Sequence, residues 1–270
     1  MLVSGSIGIV ILSKKIYLNK NKIIIILSDS HSATNYCSIL DESVTLTEFL
    51  QMNKNHQILI EEIPVIQQDM NIQDIWYNIP HIKELKDYFL KNSKDAIGID
   101  IRFSLVPFSL ELIHINKSMQ LYKLHDYLKE FELFFNGKGH VFTTYFIPYI
   151  DISEVNKLHS EYNDIKHMAY SFIYHNTKPT ILDFINKDIE FTNKLFEKID
   201  NLINSIMEFY VIIKLLSVNK PTIIHMGLYH TSNIIDKLVA EYDCKIIYKN
   251  GITEFPPIDD NQEVSCIKIL

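Results

Sequence analysis

Residues 222–238 read TIIHMGLYHTSNIIDKL, an apolar run that passes through Gly227 and His230 into a helical pattern. The run has the length and isoleucine content of a buried strand. The residues after it repeat apolar side chains at three- and four-residue steps, which indicates a helix that begins near His230. The stretch therefore predicts an α/β fold in which a buried strand is followed directly by a helix, with His230 at the junction.

Further segments have the same character, being short, rich in isoleucine or valine and bounded by polar residues: 7–12, 22–28, 57–62, 96–101 and 245–249. Several are apolar at consecutive positions, as is typical of strands that are covered on both faces. Residues 115–217 instead carry long helical stripes. The sequence therefore predicts one α/β domain over residues 1–270, with a central mostly parallel or mixed sheet flanked by helices and a mainly helical insertion at 115–217.

Composition and charge exclude several classes of function. The formal charge of -7 and the dispersed lysines give no basic footprint, so we expect no nucleic acid partner. The cysteines, Cys37, Cys244 and Cys266, are far apart and form no CxxC pair, which favours a reducing, intracellular and cytoplasmic setting. No apolar stretch is long enough to span a bilayer, so we expect no membrane partner.

Arginine usage singles out one position. The chain has 45 isoleucines and 25 lysines but four alanines and one arginine, Arg102. This bias is typical of an AT-rich coding sequence, as in some large DNA viruses or parasites, and a viral origin would place the protein in the host cytoplasm. Lysine cannot replace the planar five-donor fork of arginine, so Arg102 is a candidate anion clamp. The alternative is that one arginine survives by chance.

Polar and ionisable side chains follow four of the predicted strands. These are Ser28, Asp29, Ser30 and His31 after one strand, Glu61 and Glu62 after another, Asp100 and Arg102 after a third, and Gly227 and His230 after the stretch quoted above. In parallel α/β sheets, ligands bind at the carboxyl ends of the strands. Helix caps, solvated carboxylates or an ion pair would explain each set alone. Together the four sets predict a functional site.

The residue types at this predicted site suit hydrolysis. Two imidazoles and a carboxylate either hold a divalent metal with an open position for water or act as acid and base without metal, and both readings stay open. We therefore predict a hydrolase. Its predicted catalytic residues are His31, Glu61, Arg102 and His230, its predicted metal ligands are His31, Glu61 and His230, and its predicted substrate-binding residues are Ser28, Asp29, Asp100 and Gly227. The chain contains no GxGxxG, GxxxxGK[ST] or GxSxG motif, which disfavours dinucleotide, nucleotide and serine-elbow chemistry.

The order of these pieces resembles the TIKI/TraB superfamily, which also takes in ChaN-like and erythromycin esterase-like proteins. The matching segments are SDSH (28–31), LIEE (59–62), GIDIR (98–102) and GLYHTSNIIDKL (227–238). The first segment, SDSH, departs from the GxxH pattern of the family, because Ser28 stands where the family usually has glycine. The resemblance implies a mixed α/β fold and metal-dependent peptide cleavage or ester hydrolysis at the paired histidines and glutamate. Other relatives bind heme, so the resemblance does not fix the reaction.

Two other classes of function compete with the hydrolase. One is a non-catalytic binding module for an anionic metabolite or heme, and the other is a viral structural or interaction protein with a decayed site. As a hydrolase, the protein would act on a small-molecule or peptide substrate. The helical insertion would serve as a lid, a platform for a partner or a surface for homo-oligomers. The sequence does not decide between Glu61 and Glu62 as the catalytic glutamate.

Overall fold

A computed structural model of the protein describes residues 1–16, 20–30, 43–64, 80–92, 94–149, 155–171, 178–256 and 267–269. The chain divides into two compact units. The first unit contains Met1–Asp100 and Leu215–Leu270, and the second contains Ile101–Lys214. In chain order, the second unit therefore falls between the two segments of the first. His31 lies outside the described residues.

The described strands all belong to the first unit. They are β1 (Leu2–Ser4), β2 (Gly8–Lys15), β3 (Asn21–Asp29), β4 (Ser43–Thr45), β5 (Gln57–Ile60), β6 (Ala96–Gly98), β7 (Thr222–Gly227), β8 (Cys244–Gly251) and β9 (Ile267–Lys268). Over the described ranges they form a six-stranded sheet in the order β6-β5-β7-β3-β2-β8 and a three-stranded sheet in the order β4-β1-β9.

The described helices belong to both units. They are α1 (Leu46–Met52), α2 (Pro80–Lys91), α3 (Arg102–Leu105), α4 (Leu110–Ile115), α5 (Lys117–Gln120), α6 (Leu124–Tyr127), α7 (Lys129–Phe135), α8 (Gly139–Val141), α9 (Asn156–Ser171), α10 (Ile181–Lys187), α11 (Ile189–Leu216) and α12 (Leu228–Glu241). A π-helical turn, Phe142–Phe146, follows α8. Within the described residues, no helix is long and apolar enough to cross a membrane.

The six-stranded sheet is mixed. Strand β5 pairs in parallel with β6 and with β7, and β7 pairs in parallel with β3. Strand β2 is antiparallel to both of its neighbours, β3 and β8. The predicted α/β fold, with a mostly parallel or mixed central sheet flanked by helices, is therefore confirmed. Because β3, β5, β6 and β7 run in the same direction, their carboxyl ends lie at the same edge of the sheet.

The central strands form because their apolar side chains can be covered on both faces. All six residues of β7 are buried, and β3 is buried over its last six residues. On one face, Phe49 and Leu50 of α1 and Phe89 of α2 pack in a cluster with strand residues. Burial of this kind contributes about 1.5–3 kcal/mol for each large apolar side chain. Thr45 and Glu48 form a capping box that fixes the start of α1.

Two of the predicted strands are shorter than the sequence indicated. Strand β5 ends at Ile60, before the two glutamates, and β6 ends at Gly98. Ile101 has φ -90° and ψ 2°, and Arg102 begins α3. The predicted strand over 96–101 therefore does not extend to Asp100, and Arg102 lies in a helix. The chain turns here because the N–H of Asp100 donates to the carbonyl of Glu62, at 3.1 Å, and the backbone then enters a helical conformation.

The second unit is helical and has a core of its own. The predicted stripe along α11 is buried, with Leu195, Ile199, Leu202 and Ile206 all fully inaccessible. Phe131 and Phe134 of α7 and Phe146 of the π-helical turn are also fully buried. The ring centroids of Phe134 and Phe146 lie 4.9 Å apart in an edge-to-face arrangement. The apolar periodicity of this region therefore reflects packing of helices within the unit.

Candidate functional site

Four neighbouring strands deliver polar residues to one edge of the sheet. Asp29, the last residue of β3, is in register with Gly227, the last residue of β7. Beside β7, the N–H of Glu61 donates to the carbonyl of His225 at 3.0 Å. On the far side of β5, the N–H of Asp100 donates to the carbonyl of Glu62. The segments that the sequence proposed as strand ends therefore lie side by side in the first unit.

These carboxylates are withdrawn from solvent. Asp29 is 2% exposed, and Glu62 and Asp100 are each 6% exposed. The side chain of Glu61 is 7% exposed. A buried carboxylate is costly unless polar groups compensate it. An edge that holds four such residues is therefore a polar surface enclosed by the protein, and this sets it apart from an ordinary solvated loop.

Glu61 and His230 form the central pair of this edge. Oε2 of Glu61 accepts a 2.7 Å hydrogen bond from the N–H of Gly227, which is the N-cap of α12. Oε1 of the same carboxylate lies 3.8 Å from Nε2 of His230, whose side chain is 8% exposed. The carboxylate therefore lies at the N-terminus of a helix, where the helix dipole and unsatisfied N–H groups favour negative charge.

The local sequence explains how His230 reaches this position. Strand β7 ends at Gly227 and α12 begins at Leu228, so His230 falls in the first helical turn. No side chain of the N-cap residue bonds to the helix, because that residue is glycine. The carboxylate of Glu61, from a different strand, instead accepts the Gly227 N–H. The predicted strand-to-helix transition at residues 222–238 is therefore present in the structure.

Ser28 links α12 to the sheet. It lies within β3, in register with Met226 and Gly8, and is fully buried. Its hydroxyl shares a 2.9 Å hydrogen bond with the hydroxyl of Thr231, which is also fully buried and donates to the carbonyl of Leu228 at 3.0 Å. The sequence reasoning proposed Ser28 as a substrate-binding residue and missed Thr231. Thr231 directly follows His230 in the sequence, and this position is the signal that could have identified it.

Gly98 permits the close approach of β6 to the segment that carries the glutamates. A Cβ atom at this position would lie 2.6 Å from the carbonyl oxygen of Glu62 and 3.1 Å from the carbonyl carbon of Ile63. Both contacts are to backbone, which cannot move aside without shifting the chain next to Glu61. The absence of a side chain at Gly98 therefore sets the position of the Glu61–Glu62 segment.

The ring of Tyr229 contacts His230 and the ring of Phe255 contacts Tyr229, and neither residue belongs to the predicted site. The Tyr229 ring lies edge-to-face with the His230 ring, with centroids 5.2 Å apart, and edge-to-face with Phe255, at 5.3 Å. Tyr229 is 38% exposed and Phe255 is 52% exposed. Phe255 belongs to a segment that the sequence marks only as a loop. The buried pair therefore has an exposed aromatic neighbour.

Arg102 belongs to the second unit, where it begins α3. Its Nη1 donates to Oδ1 of Asn204 on α11 at 3.5 Å. The amide nitrogen of Asn204 in turn donates to Asp200, one turn earlier on α11, at 3.2 Å. Arg102 is half-buried within its own unit, and hydrogen bonds connect it through Asn204 to Asp200 on α11.

The predicted metal ligands are His31, Glu61 and His230. Among the described residues, no group of three or more His, Cys, Asp or Glu side chains is arranged to hold a metal ion. Glu61 and His230 supply two of the three predicted ligands, and the third, His31, is not described. A structural or catalytic zinc site needs at least three protein ligands. Of the predicted metal ligands, the described residues therefore bring together Glu61 and His230 and do not complete a metal site.

Comparison with known proteins gives no family for this chain. No protein-family model, no curated protein and no solved structure matches it significantly. The resemblance to the TIKI/TraB superfamily therefore stays a prediction from four short segments of sequence.

Proposed function

We propose that the protein is a hydrolase of a peptide or ester bond, with Glu61 and His230 as its acid–base pair. The observation that supports this proposal best is the orientation of the Glu61 carboxylate. One oxygen is held by the N–H of Gly227 and the other lies 3.8 Å from Nε2 of His230. Pairs of titratable groups held close together, in a site largely withdrawn from water, are typical of acid–base catalysis.

The proposed reaction returns Glu61 and His230 to their starting protonation states. Glu61 takes a proton from a water molecule as that water attacks the carbonyl carbon of the substrate. His230 gives a proton from Nε2 to the leaving oxygen or nitrogen as the bond breaks. The proton then returns from Glu61 to His230 across the 3.8 Å gap, which one water molecule can bridge. The products are a carboxylic acid and an alcohol or amine.

The remaining predicted residues take supporting roles in this proposal. Asp29 ends β3 and Asp100 follows the end of β6, and both would bind polar groups of the substrate. If a divalent metal binds, His31 would be the third ligand beside Glu61 and His230. Such a metal would lower the pKa of a bound water molecule. Assays with and without chelator address this role.

The direct experiment measures turnover of p-nitrophenyl esters and short peptides by the wild type and by His230→Ala. We expect His230→Ala to abolish turnover while the melting temperature changes little, because the histidine lies at the start of a helix and not in the centre of the core. Gly137 and His140 have the same GxxH spacing in the second unit, and His140 is exposed, so His140→Ala is a matched control with unchanged turnover. The proposal fails if His230→Ala lowers only stability.

A second candidate function, a binding module for an anionic metabolite, is favoured by a cavity in the second unit. This cavity has a volume of about 510 Å³, within the range of small-molecule sites. Its lining includes His125, Asp126, Lys129, Glu132, Lys138 and Lys178. Glu132 already has Lys166 at 3.7 Å. Three lysines converge here although the whole chain carries a formal charge of -7.

This second candidate is tested by calorimetric titration with tripolyphosphate. Lysine binds phosphate as a point charge, so affinity should fall with added salt and fall at least about tenfold in Lys129→Ala/Lys138→Ala. Lys220→Ala, an exposed lysine of the first unit, is the control and should bind as the wild type does. Equal affinity in all three proteins would exclude this cavity as an anion site.

A further inference from the structure

We infer that Tyr229 and Phe255 form an apolar subsite beside His230, which holds an alkyl or aryl group of the substrate next to the bond that is cleaved. The inference rests on the proposed hydrolase function, since it names the substrate class of the same site. It adds a preference for an apolar group, whereas the predicted substrate-binding residues Asp29 and Asp100 are charged.

The geometry places these two rings at the surface next to a buried pair. His230 is 7% exposed, whereas Tyr229 and Phe255 are 38% and 52% exposed. The centroid of the Tyr229 ring lies 5.2 Å from that of His230 and 5.3 Å from that of Phe255. An apolar group that rests on the Tyr229 ring would therefore lie beside the imidazole ring. A contiguous exposed apolar patch can mark a ligand-binding groove.

A hydrogen bond and a ring contact hold Phe255 against α12. The N–H of Phe255 donates to the hydroxyl of Ser232 at 3.3 Å, which attaches the loop around Phe255 to α12. The edge-to-face contact of the two rings adds to this attachment. A preformed surface binds more tightly than a mobile one, because less conformational entropy is lost on binding.

The acidic residue next to the two aromatic rings, Glu254, forms an ion pair with a lysine. Glu254 directly precedes Phe255, and its carboxylate pairs with the ammonium group of Lys249. The acidic group is thereby held by β8, and it does not stand alone beside the rings. The surface next to His230 is therefore suited to an uncharged, apolar group.

A competing explanation is that the two rings only anchor the loop on α12. Anchoring predicts a loss of stability when either ring is removed, with no effect on the choice of substrate. A subsite predicts a change in selectivity, measured as a ratio of two rates in the same protein. Because the ratio cancels the fraction of protein that is folded, it separates the two explanations.

The experiment compares kcat/KM for p-nitrophenyl hexanoate and p-nitrophenyl acetate in the wild type, Tyr229→Ala, Phe255→Ala and Met52→Ala. Met52 is an exposed apolar side chain on α1 and serves as the control. We expect the hexanoate-to-acetate ratio to fall at least about tenfold in each aromatic variant and to stay unchanged in Met52→Ala. An unchanged ratio in both aromatic variants overturns the inference.

A binding measurement keeps this test separate from that of the hydrolase proposal. The uncleavable ketone 2-octanone carries a hexyl chain, and saturation-transfer NMR detects its contact with the protein even when nothing is hydrolysed. We expect transfer in the wild type and Met52→Ala, and its loss in Tyr229→Ala and Phe255→Ala. Transfer with no ester or peptide turnover would contradict the hydrolase and support the subsite. No transfer in the wild type overturns the subsite, whatever the turnover.

Discussion

The backbone N–H of Gly227 donates a 2.7 Å hydrogen bond to Oε2 of Glu61, and this bond joins residues 166 positions apart in the sequence. It fixes the carboxylate at the N-terminus of α12, with its other oxygen 3.8 Å from Nε2 of His230. The end of β7 therefore has two effects. It starts the helix that carries His230, and it positions the carboxylate that lies beside His230.

We predict that Gly98→Ala displaces the Glu61–Glu62 segment and impairs the site. The new Cβ would meet the Glu62 carbonyl oxygen at 2.6 Å, a contact that only a backbone shift relieves. We expect a loss of about 1–3 kcal/mol in the free energy of unfolding. We also expect a fall of about tenfold or more in kcat/KM, because catalytic geometry is sensitive to small displacements.

Denaturant unfolding and ester turnover measure these two effects of Gly98→Ala. Ala96→Gly, two residues earlier in β6, is the matched control, because it alters the same strand without adding an atom near Glu62. The control should lower stability and leave kcat/KM per folded molecule unchanged. A Gly98→Ala protein with wild-type turnover would show that the Glu61 position tolerates a shift of this segment.

We predict that Ser28→Ala and Thr231→Val each lower the free energy of unfolding by about 1 kcal/mol. Each substitution removes the 2.9 Å hydrogen bond between the two hydroxyls and leaves the remaining hydroxyl buried without that partner. The double variant should be less destabilised than the sum of the singles, since the second substitution removes a partner that is already lost. Urea unfolding of the four proteins measures the coupling. Strictly additive losses would mean that the two hydroxyls do not interact.

The buried ammonium group of Lys22 gives a pH-dependent prediction. Lys22 is 2% exposed, and its Nζ donates to the carbonyl of Val218 at 2.7 Å and to that of Leu215. Burial lowers the pKa of Lys22 to about 8; Cys244 has a smaller effect that raises this pKa, and Lys14 has a smaller effect that lowers it. Between this value and the unfolded pKa of 10.5, the unfolded chain binds more protons than the folded one. The contribution of Lys22 to the free energy of unfolding therefore rises with pH across this window.

The test compares the wild type with Lys22→Met from pH 7 to pH 9.5. We expect the stability of the wild type relative to the variant to increase by about 2 kcal/mol over this range. Both proteins keep all the tyrosines, so the titrations of these groups cancel in the difference. Cys244 adds a smaller change, because its pKa responds to the charge of Lys22. A difference that is constant with pH, or that shrinks, would contradict the lowered pKa.

Much of the central sheet could be predicted from the sequence because its strands are long apolar runs. The predicted segment 222–227 coincides with β7, and 22–28 lies within β3. Strands β1, β4 and β9 could not be predicted, because two or three residues are too few to show a periodicity. Val3 of β1 pairs with Ile267 of β9, and only the folded chain brings these residues together.

The sequence could predict which residues form the candidate site, but it could not predict the distances and hydrogen bonds between them. Glu61 and His230 stand out because each follows a buried strand. The hydrogen bond between Glu61 and Gly227 depends on β7 lying beside β5, and a sequence does not show strand order. For the same reason, the sequence left Glu61 and Glu62 as alternatives. In the structure, the Glu61 carboxylate lies near His230, and the backbone carbonyl of Glu62 bonds to Asp100.

The most direct test of the proposed Glu61–His230 pair is a double-mutant cycle on kcat/KM with Glu61→Gln and His230→Gln. Glu61→Gln removes the charge, but its amide oxygen can still accept the Gly227 N–H, so the fold around α12 should persist. We expect each single variant to lose about 100-fold or more in kcat/KM. The double variant should lie within about tenfold of the weaker single variant, because groups that act together are not additive. Two independent losses that multiply in the double variant, or wild-type rates in either single variant, would contradict the acid–base pair.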